Sequence, residues 1–135
     1  MPTPLLKKID CIELYVADLD AALAFYRDRL GHALLWRDER SAGLRLPGSD
    51  AELLLQTERP GLAVDFYVPS ADAAARAFVA AGGSLLVAPF DIRIGRCAVV
   101  ADPWGNPLVL LDMSKGRLVT DAEGNVTGVE PLENT

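Results

Sequence analysis

Residues 9–16 read IDCIELYV, and residues 62–68 read LAVDFYV. In the first stretch Ile12, Leu14 and Val16 alternate with Cys11, Glu13 and Tyr15. In the second, Val64, Phe66 and Val68 alternate with Ala63, Asp65 and Tyr67. A period of two is the mark of a β-strand with unlike faces. The likeness continues outward at a shift of 52 residues, which carries Glu13 to Asp65, Tyr15 to Tyr67 and Val16 to Val68. The same shift carries Asp20, Ala21 and Ala22 to Asp72, Ala73 and Ala74, Gly31 to Gly83 and Gly43 to Gly95. Two copies of one supersecondary unit are implied.

Each copy spells out the same order. After the first strand, Asp18 or Asp20 can cap a helix to Leu30 whose apolar stripe is Leu19, Leu23, Tyr26 and Leu30, with Gly31 as its stop. Strands are predicted at 33–38, 43–47 and 51–57, and "ERPG" (58–61) breaks the pattern. In the second copy Ser70 can cap a helix that ends at Gly82–Gly83, followed by strands at 84–89, 96–101 and 107–113. The tail, residues 114–135, reads as a small hairpin, "RLVT" and "NVTGVE" around "DAEG", which packs on the body or on a partner subunit. The expected architecture is a single α+β domain over residues 1–135. It comprises two βαβββ modules in tandem, about 8–57 and 62–113, plus the C-terminal hairpin.

Composition narrows the function. Thirteen basic against nineteen acidic side chains leave a net charge of −6, which argues against nucleic acid as a partner. No apolar run is long enough for a membrane span, and the N-terminal stretch lacks a signal-peptide core. Two cysteines, Cys11 and Cys97, without an export signal are expected as free thiols in a reducing cytoplasm.

"IDCIELYVADLDAALAFYRDRLG" and "VVADPWGNPLVLLD" resemble the opening module and closing hairpin of the vicinal oxygen chelate superfamily. That group includes glyoxalase I, bleomycin-resistance proteins, fosfomycin-resistance enzymes and extradiol dioxygenases. The resemblance covers roughly residues 8–113. It implies mixed sheets curled around a shared cavity, and commonly a homodimer. It also places metal ligands, a His or Glu on each module's first strand and a Glu on the closing strand. Those positions fall on Cys11, Ala63 and Val109. Alanine and valine cannot coordinate, and the single histidine, His32, follows the helix-ending Gly31. No cofactor and no ordinary metal site are therefore expected, and a divalent metal stays only as a minor alternative.

If one strand face packs under the helices, the other faces the cavity. That assigns Cys11, Glu13, Tyr15, Arg45, Asp65, Tyr67, Cys97 and Val109 to a small-molecule site, with Glu13 and Asp65 as the candidate catalytic acids. Blander roles stand beside these. The acids can be solvated or paired with Arg45, the tyrosines can be packing residues, and the cysteines can be small buried hydrophobes. Three functions compete. The preferred one is a metal-free cavity that binds a small molecule, with its two acids suited to a cationic ligand and Arg45 suited instead to a carboxylate or phosphate. The others are a glyoxalase- or dioxygenase-type enzyme with an atypical metal site such as Cys11, Glu13 and Asp65, and an interaction module with a closed interior.

Overall fold

A computed structural model describes residues 3–132. The first half forms β1 (Lys8–Tyr15), α1 (Leu19–Leu23), β2 (Leu34–Arg37), β3 (Ser41–Arg45) and β4 (Glu52–Gln56). The second half repeats the order as β5 (Ala63–Tyr67), α2 (Ala71–Ala80), β6 (Ser84–Asp91), β7 (Arg96–Ala101) and β8 (Pro107–Leu111). Both expected caps are present. Asp18 accepts from Ala21 N at 3.1 Å, and Ser70 accepts from Ala73 N at 3.1 Å. The first helix is less regular than its apolar spacing suggests, because α1 continues into a π-helical stretch, Ala24–Arg29. Gly31 then ends it with φ 84°, a conformation that a side chain would oppose.

All eight strands join one sheet in the order β2-β3-β4-β1-β5-β8-β7-β6. Each half is a four-stranded unit whose first and last strands run parallel, β1 with β4 and β5 with β8. The halves meet edge to edge where β1 runs antiparallel to β5, with Cys11 opposite Asp65 and Glu13 opposite Ala63. One sheet face packs on the helices. Leu19, Leu23, Leu44 and Leu55 form the core of the first half, and Val68, Ala74, Val100 and Leu110 that of the second. Cys97, Val99, Val109 and Leu111 cluster on the opposite face. The alternation read from the sequence thus sorts the strands correctly into core and cavity sides.

The sheet curls strongly. β2 and β6 are its two outer strands, yet Arg93 after β6 lies 3.5 Å from Asp38 after β2. The expected hairpin is β9 (Arg117–Thr120) with β10 (Val126–Glu130), and it lies on the body of the protein. Its loop carbonyl at Gly124 accepts from Arg37 N at 2.7 Å. No helix among the described residues is long and apolar enough to cross a membrane.

Candidate functional site

The curl encloses a cleft of about 1390 Å³ on the face away from the helices. Its floor is the seam between β1 and β5. Strand alternation turns Cys11 and Glu13 inward, and the pairing register places Asp65 beside Cys11. A third acid arrives by a device that simple alternation misses. The β1–β5 register slips between Ile9 and Cys11, and this bulge re-aims Asp10 so that it lines the cleft next to Cys11. A fourth, Glu52, stands opposite Cys11 on β4 and also lines the cleft.

Each acid is managed differently. Glu13, only 2 % exposed, accepts from Arg59 Nη2 at 3.1 Å. Arg59 is placed by the "ERPG" break. Gln56 Oε1 accepts from the backbone N–H groups of Glu58 and Arg59, both at 2.8 Å, and its amide donates back to the Arg59 carbonyl. Glu52 accepts from Trp36 Nε1 at 2.7 Å. That bond passes over Gly43, where a Cβ would collide with both partners. Burial raises the Glu52 carboxyl above its ordinary range, and the Trp36 bond only partly offsets it. Burial likewise raises Asp10, against the pull of the neighbouring Tyr67 hydroxyl and Cys11 thiol.

Asp65 is the outlier. Burial first, and then the neighbouring Glu13, push its carboxyl up to about 9. Its Oδ1 is buried and has no hydrogen-bond partner among the described residues. The surrounding groups follow the same rule that burial disfavours the charged form. Cys97 is pushed up to about 12 by burial and by the Asp65 charge, and Cys11 and Tyr67 are raised for the same kind of reason. One wall is apolar, with Phe90, Ile92 and Ile94 above Val109 and Leu111, whereas Arg37, Asp38, Arg40, Glu58 and Arg93 border the cleft elsewhere.

Of the residues expected to line the cavity, Glu13, Asp65, Tyr67, Cys97 and Val109 do so, and Cys11 lies buried in the floor, 1 % exposed. Tyr15 and Arg45 are placed elsewhere. Tyr15 is the last residue of β1, 43 % exposed, in a separate shallow recess with Tyr26 and Leu62. Arg45 is the exposed last residue of β3, and its carbonyl faces His32 Nδ1 at 3.0 Å. Alternation gives the side of a sheet on which a residue lies, not how far along the strand the cleft extends. The cation that meets Glu13 is accordingly Arg59 from a loop, rather than Arg45 from a strand.

The metal positions implied by the family resemblance hold donors only at Cys11, since Ala63 and Val109 sit against the cleft without any. A different set lies close by. One oxygen each of Asp10 and Asp65 and the Cys11 sulfur are within 4.8 Å of one another. Two carboxylates and a thiolate suit a borderline cation such as zinc better than a hard one. The bare Asp65 oxygen is compatible with such an ion, so these three residues fit a metal, with Cys11 alone at a position the resemblance marks.

An edge-joined pair of βαβββ units curled around a polar-floored cleft defines the vicinal oxygen chelate class. The match to known proteins agrees, because residues 11–111 fit the family described as "Glyoxalase-like domain". The chain belongs to that family. It is 38 % identical over 105 residues to "Putative glyoxylase CFP32" of Mycobacterium tuberculosis, covering 69 % of this chain and 39 % of that protein. It thus spans about two fifths of the length of that relative. An uncharacterized protein of Mycolicibacterium smegmatis is 34 % identical over 107 residues, covering 76 % of this chain and 90 % of its own. Among solved structures, methylmalonyl-CoA epimerase from Mycobacterium tuberculosis superposes with TM-score 0.70 at 26 % identity, over 83 % of this chain and 91 % of that one. Homoprotocatechuate 2,3-dioxygenase from Brevibacterium fuscum gives TM-score 0.62 at 27 % identity, over 83 % of this chain and 38 % of its own.

Proposed function

We propose that the cleft binds a small organic cation with an apolar body. The observation that carries this reading is the balance of the floor. Four acids, Asp10, Glu13, Glu52 and Asp65, line it; among the described residues Arg59 is the one cation in an ion pair with any of them, the rim arginines Arg40 and Arg93 being paired with Glu58 and Asp38, and Asp65 keeps an oxygen without a partner. An ammonium group on that oxygen would supply the missing partner, while Phe90, Ile92 and Val109 cover a hydrocarbon or aromatic body. Because burial holds Asp65 protonated at neutral pH, a bound cation would displace its proton, so affinity rises as pH approaches about 9. In this reading the protein works as a metal-free binding module, and the homodimer and cytoplasmic setting expected from its family likeness and free thiols go with it.

Titration with proflavine, a planar aromatic cation, tests the reading through quenching of Trp36 in the Trp104→Phe background. Trp36 lines the cleft, and Trp104 is 84 % exposed in the β7–β8 turn. Saturable quenching that strengthens from pH 6 to pH 8, and that Asp65→Asn weakens, supports the proposal. Quenching equal to that given by a neutral aromatic of the same size defeats it.

A second reading, favoured by the Asp10–Cys11–Asp65 set, is a metal-dependent enzyme of the glyoxalase or dioxygenase kind. A metal there would act as a Lewis acid on a bound oxygen, with Glu13 as the candidate base beside it. Cadmium titration distinguishes the two. A thiolate–cadmium charge-transfer band that disappears in Cys11→Ser supports the metal site, and no band with no metal retained on elemental analysis removes it.

A further inference from the structure

We infer that the hairpin β9–β10 is the ligand-selecting wall of the cleft, acting through Leu118, Thr120 and Val126. The inference rests on the cleft being a ligand site, and it concerns a segment outside the residues 11–111 that match the family. The hairpin is fastened at two places. At its root, Lys115 N and Gly116 N donate to Ile94 O at 2.9 and 3.2 Å, and Lys115 Nζ lies 3.0 Å from Asp91. At its loop, Arg37 N donates to Gly124 O at 2.7 Å, and Arg37 forms a bridge with Asn125. Ile94 lies in the turn after β6, and Arg37 ends β2. The hairpin therefore crosses the open side of the curled sheet from the end of one half to the end of the other.

Its inward face follows from strand geometry. Leu118 and Thr120 share one face of β9, and Val126 is directly opposite Thr120 on β10. All three line the cleft. Leu118 and Val126 are half-buried, and Thr120 is exposed. The acids of the floor all come from β1, β4 and β5, whereas the hairpin offers Leu118, Thr120 and Val126, together with Arg117 and Asn125, whose side chains are already held by Glu130 at 2.7 Å and Asp121 at 3.2 Å. Charge is then read at the floor, and the size and shape of the apolar body at the hairpin. A hairpin of two strands has little stability of its own in water, so its place depends on these fastenings, and its face can change without disturbing the sheet.

Calorimetric titration with two probes tests this, proflavine as a long aromatic cation and tetramethylammonium as a compact one. Leu118→Ala/Val126→Ala removes the wall, and Thr120→Phe, at an exposed position, thickens it without touching the core. Each variant is expected to change proflavine affinity roughly tenfold while leaving tetramethylammonium within about twofold, since one hydrocarbon group in a pocket carries effects of that size. Thr127→Phe, at an exposed position that does not line the cleft, is expected to leave both unchanged. Wild-type-like binding of both probes by folded Thr120→Phe and by the double alanine variant overturns the inference. If the unmodified protein binds neither probe, the cleft reading itself fails and the inference goes with it.

Discussion

Glu13 and Asp65 occupy the same place in the two halves, yet Arg59 lies 3.1 Å from Glu13 while Asp65 keeps an oxygen with no partner among the described residues. The internal repeat made two acids, and one loop made them unequal. "ERPG" is the link between the halves and has no counterpart at the end of the second, so only one acid receives an arginine. This inequality of environment is what could give two carboxyls different tasks in one cleft.

Removing the arginine exposes that dependence. Glu13 is buried and Arg59 is half-exposed, so Arg59→Ala strands a buried acid without freeing much packing. A loss of about 1–2 kcal/mol is expected, less than for a fully buried pair because the guanidinium is partly solvated. Urea denaturation of Arg59→Ala, Glu13→Gln and the double variant checks this. The double variant is expected to recover part of the loss.

Asp65 gives a pH dependence of opposite sign to the usual carboxyl. Its carboxyl is raised from 3.8 in the unfolded chain to about 9 in the folded protein. Between those values the unfolded chain releases a proton that the folded protein keeps, so stability falls as pH rises through the window. Asp65→Asn, which keeps the shape and cannot ionise, is expected to stabilise the protein at pH 8, on the order of 2 kcal/mol, and to give no gain at pH 4. Melting temperatures of both proteins from pH 4 to pH 9 measure the effect. A parallel pair of curves would show that Asp65 titrates normally.

Asp112 behaves in the ordinary direction. It is 3 % exposed and accepts from Ala71 N at 2.8 Å, Arg96 N at 2.9 Å, and Ser114 N and Oγ at 3.1 and 2.7 Å. It ties the first residue of α2 to β7 and to the root of the hairpin, and Gly95 leaves it the room. Burial pushes its carboxyl up, but the hydrogen bonds from Ala71, Ser114 and Arg96 outweigh burial and hold it below the usual range. The stability it confers is therefore present above the unfolded value of 3.8 and is lost as pH falls below it. Asp112→Ala is expected to cost about 3 kcal/mol at pH 7 by leaving buried N–H groups unpaired, with a smaller loss at pH 3, read by urea denaturation at both pH values.

Much of this was legible in the chain. The repeat at a shift of 52 residues yields the two halves, and period-two alternation separates Leu14, Leu44 and Leu110 from Glu13, Asp65 and Val109. What alternation cannot show is a change of phase or the length of a cleft. Asp10 reached the floor through a bulge, which shifts every side chain before it by one step. Arg45 and Tyr15 are the last residues of their strands, beyond the reach of the cleft, and Tyr15 shares its recess with Leu14, Val16 and Tyr26 of the helix side. Glu52 could have been found, since β4 pairs in parallel with β1 and places it opposite Cys11. Arg59 could not, because a loop arginine has no period, and the Gln56 clamp that aims it exists only in three dimensions.

Gly43 tests how far the cleft depends on a residue with no side chain. The Trp36 indole crosses β3 at Gly43 to reach Glu52, and a Cβ there would occupy the space of both groups. An indole ring in a packed wall has few rotamers to yield into, so Gly43→Ala is expected to break the Trp36–Glu52 bond. Glu52 is half-buried, and losing its donor raises its carboxyl further above the ordinary range. The expected result is a loss of about 1–3 kcal/mol in urea denaturation, together with an altered near-ultraviolet circular dichroism signal from Trp36. Trp36→Phe provides the comparison, because it removes the same hydrogen bond without forcing the strand. A Gly43→Ala penalty no larger than that of Trp36→Phe assigns the whole effect to the lost bond, and a larger one measures the clash.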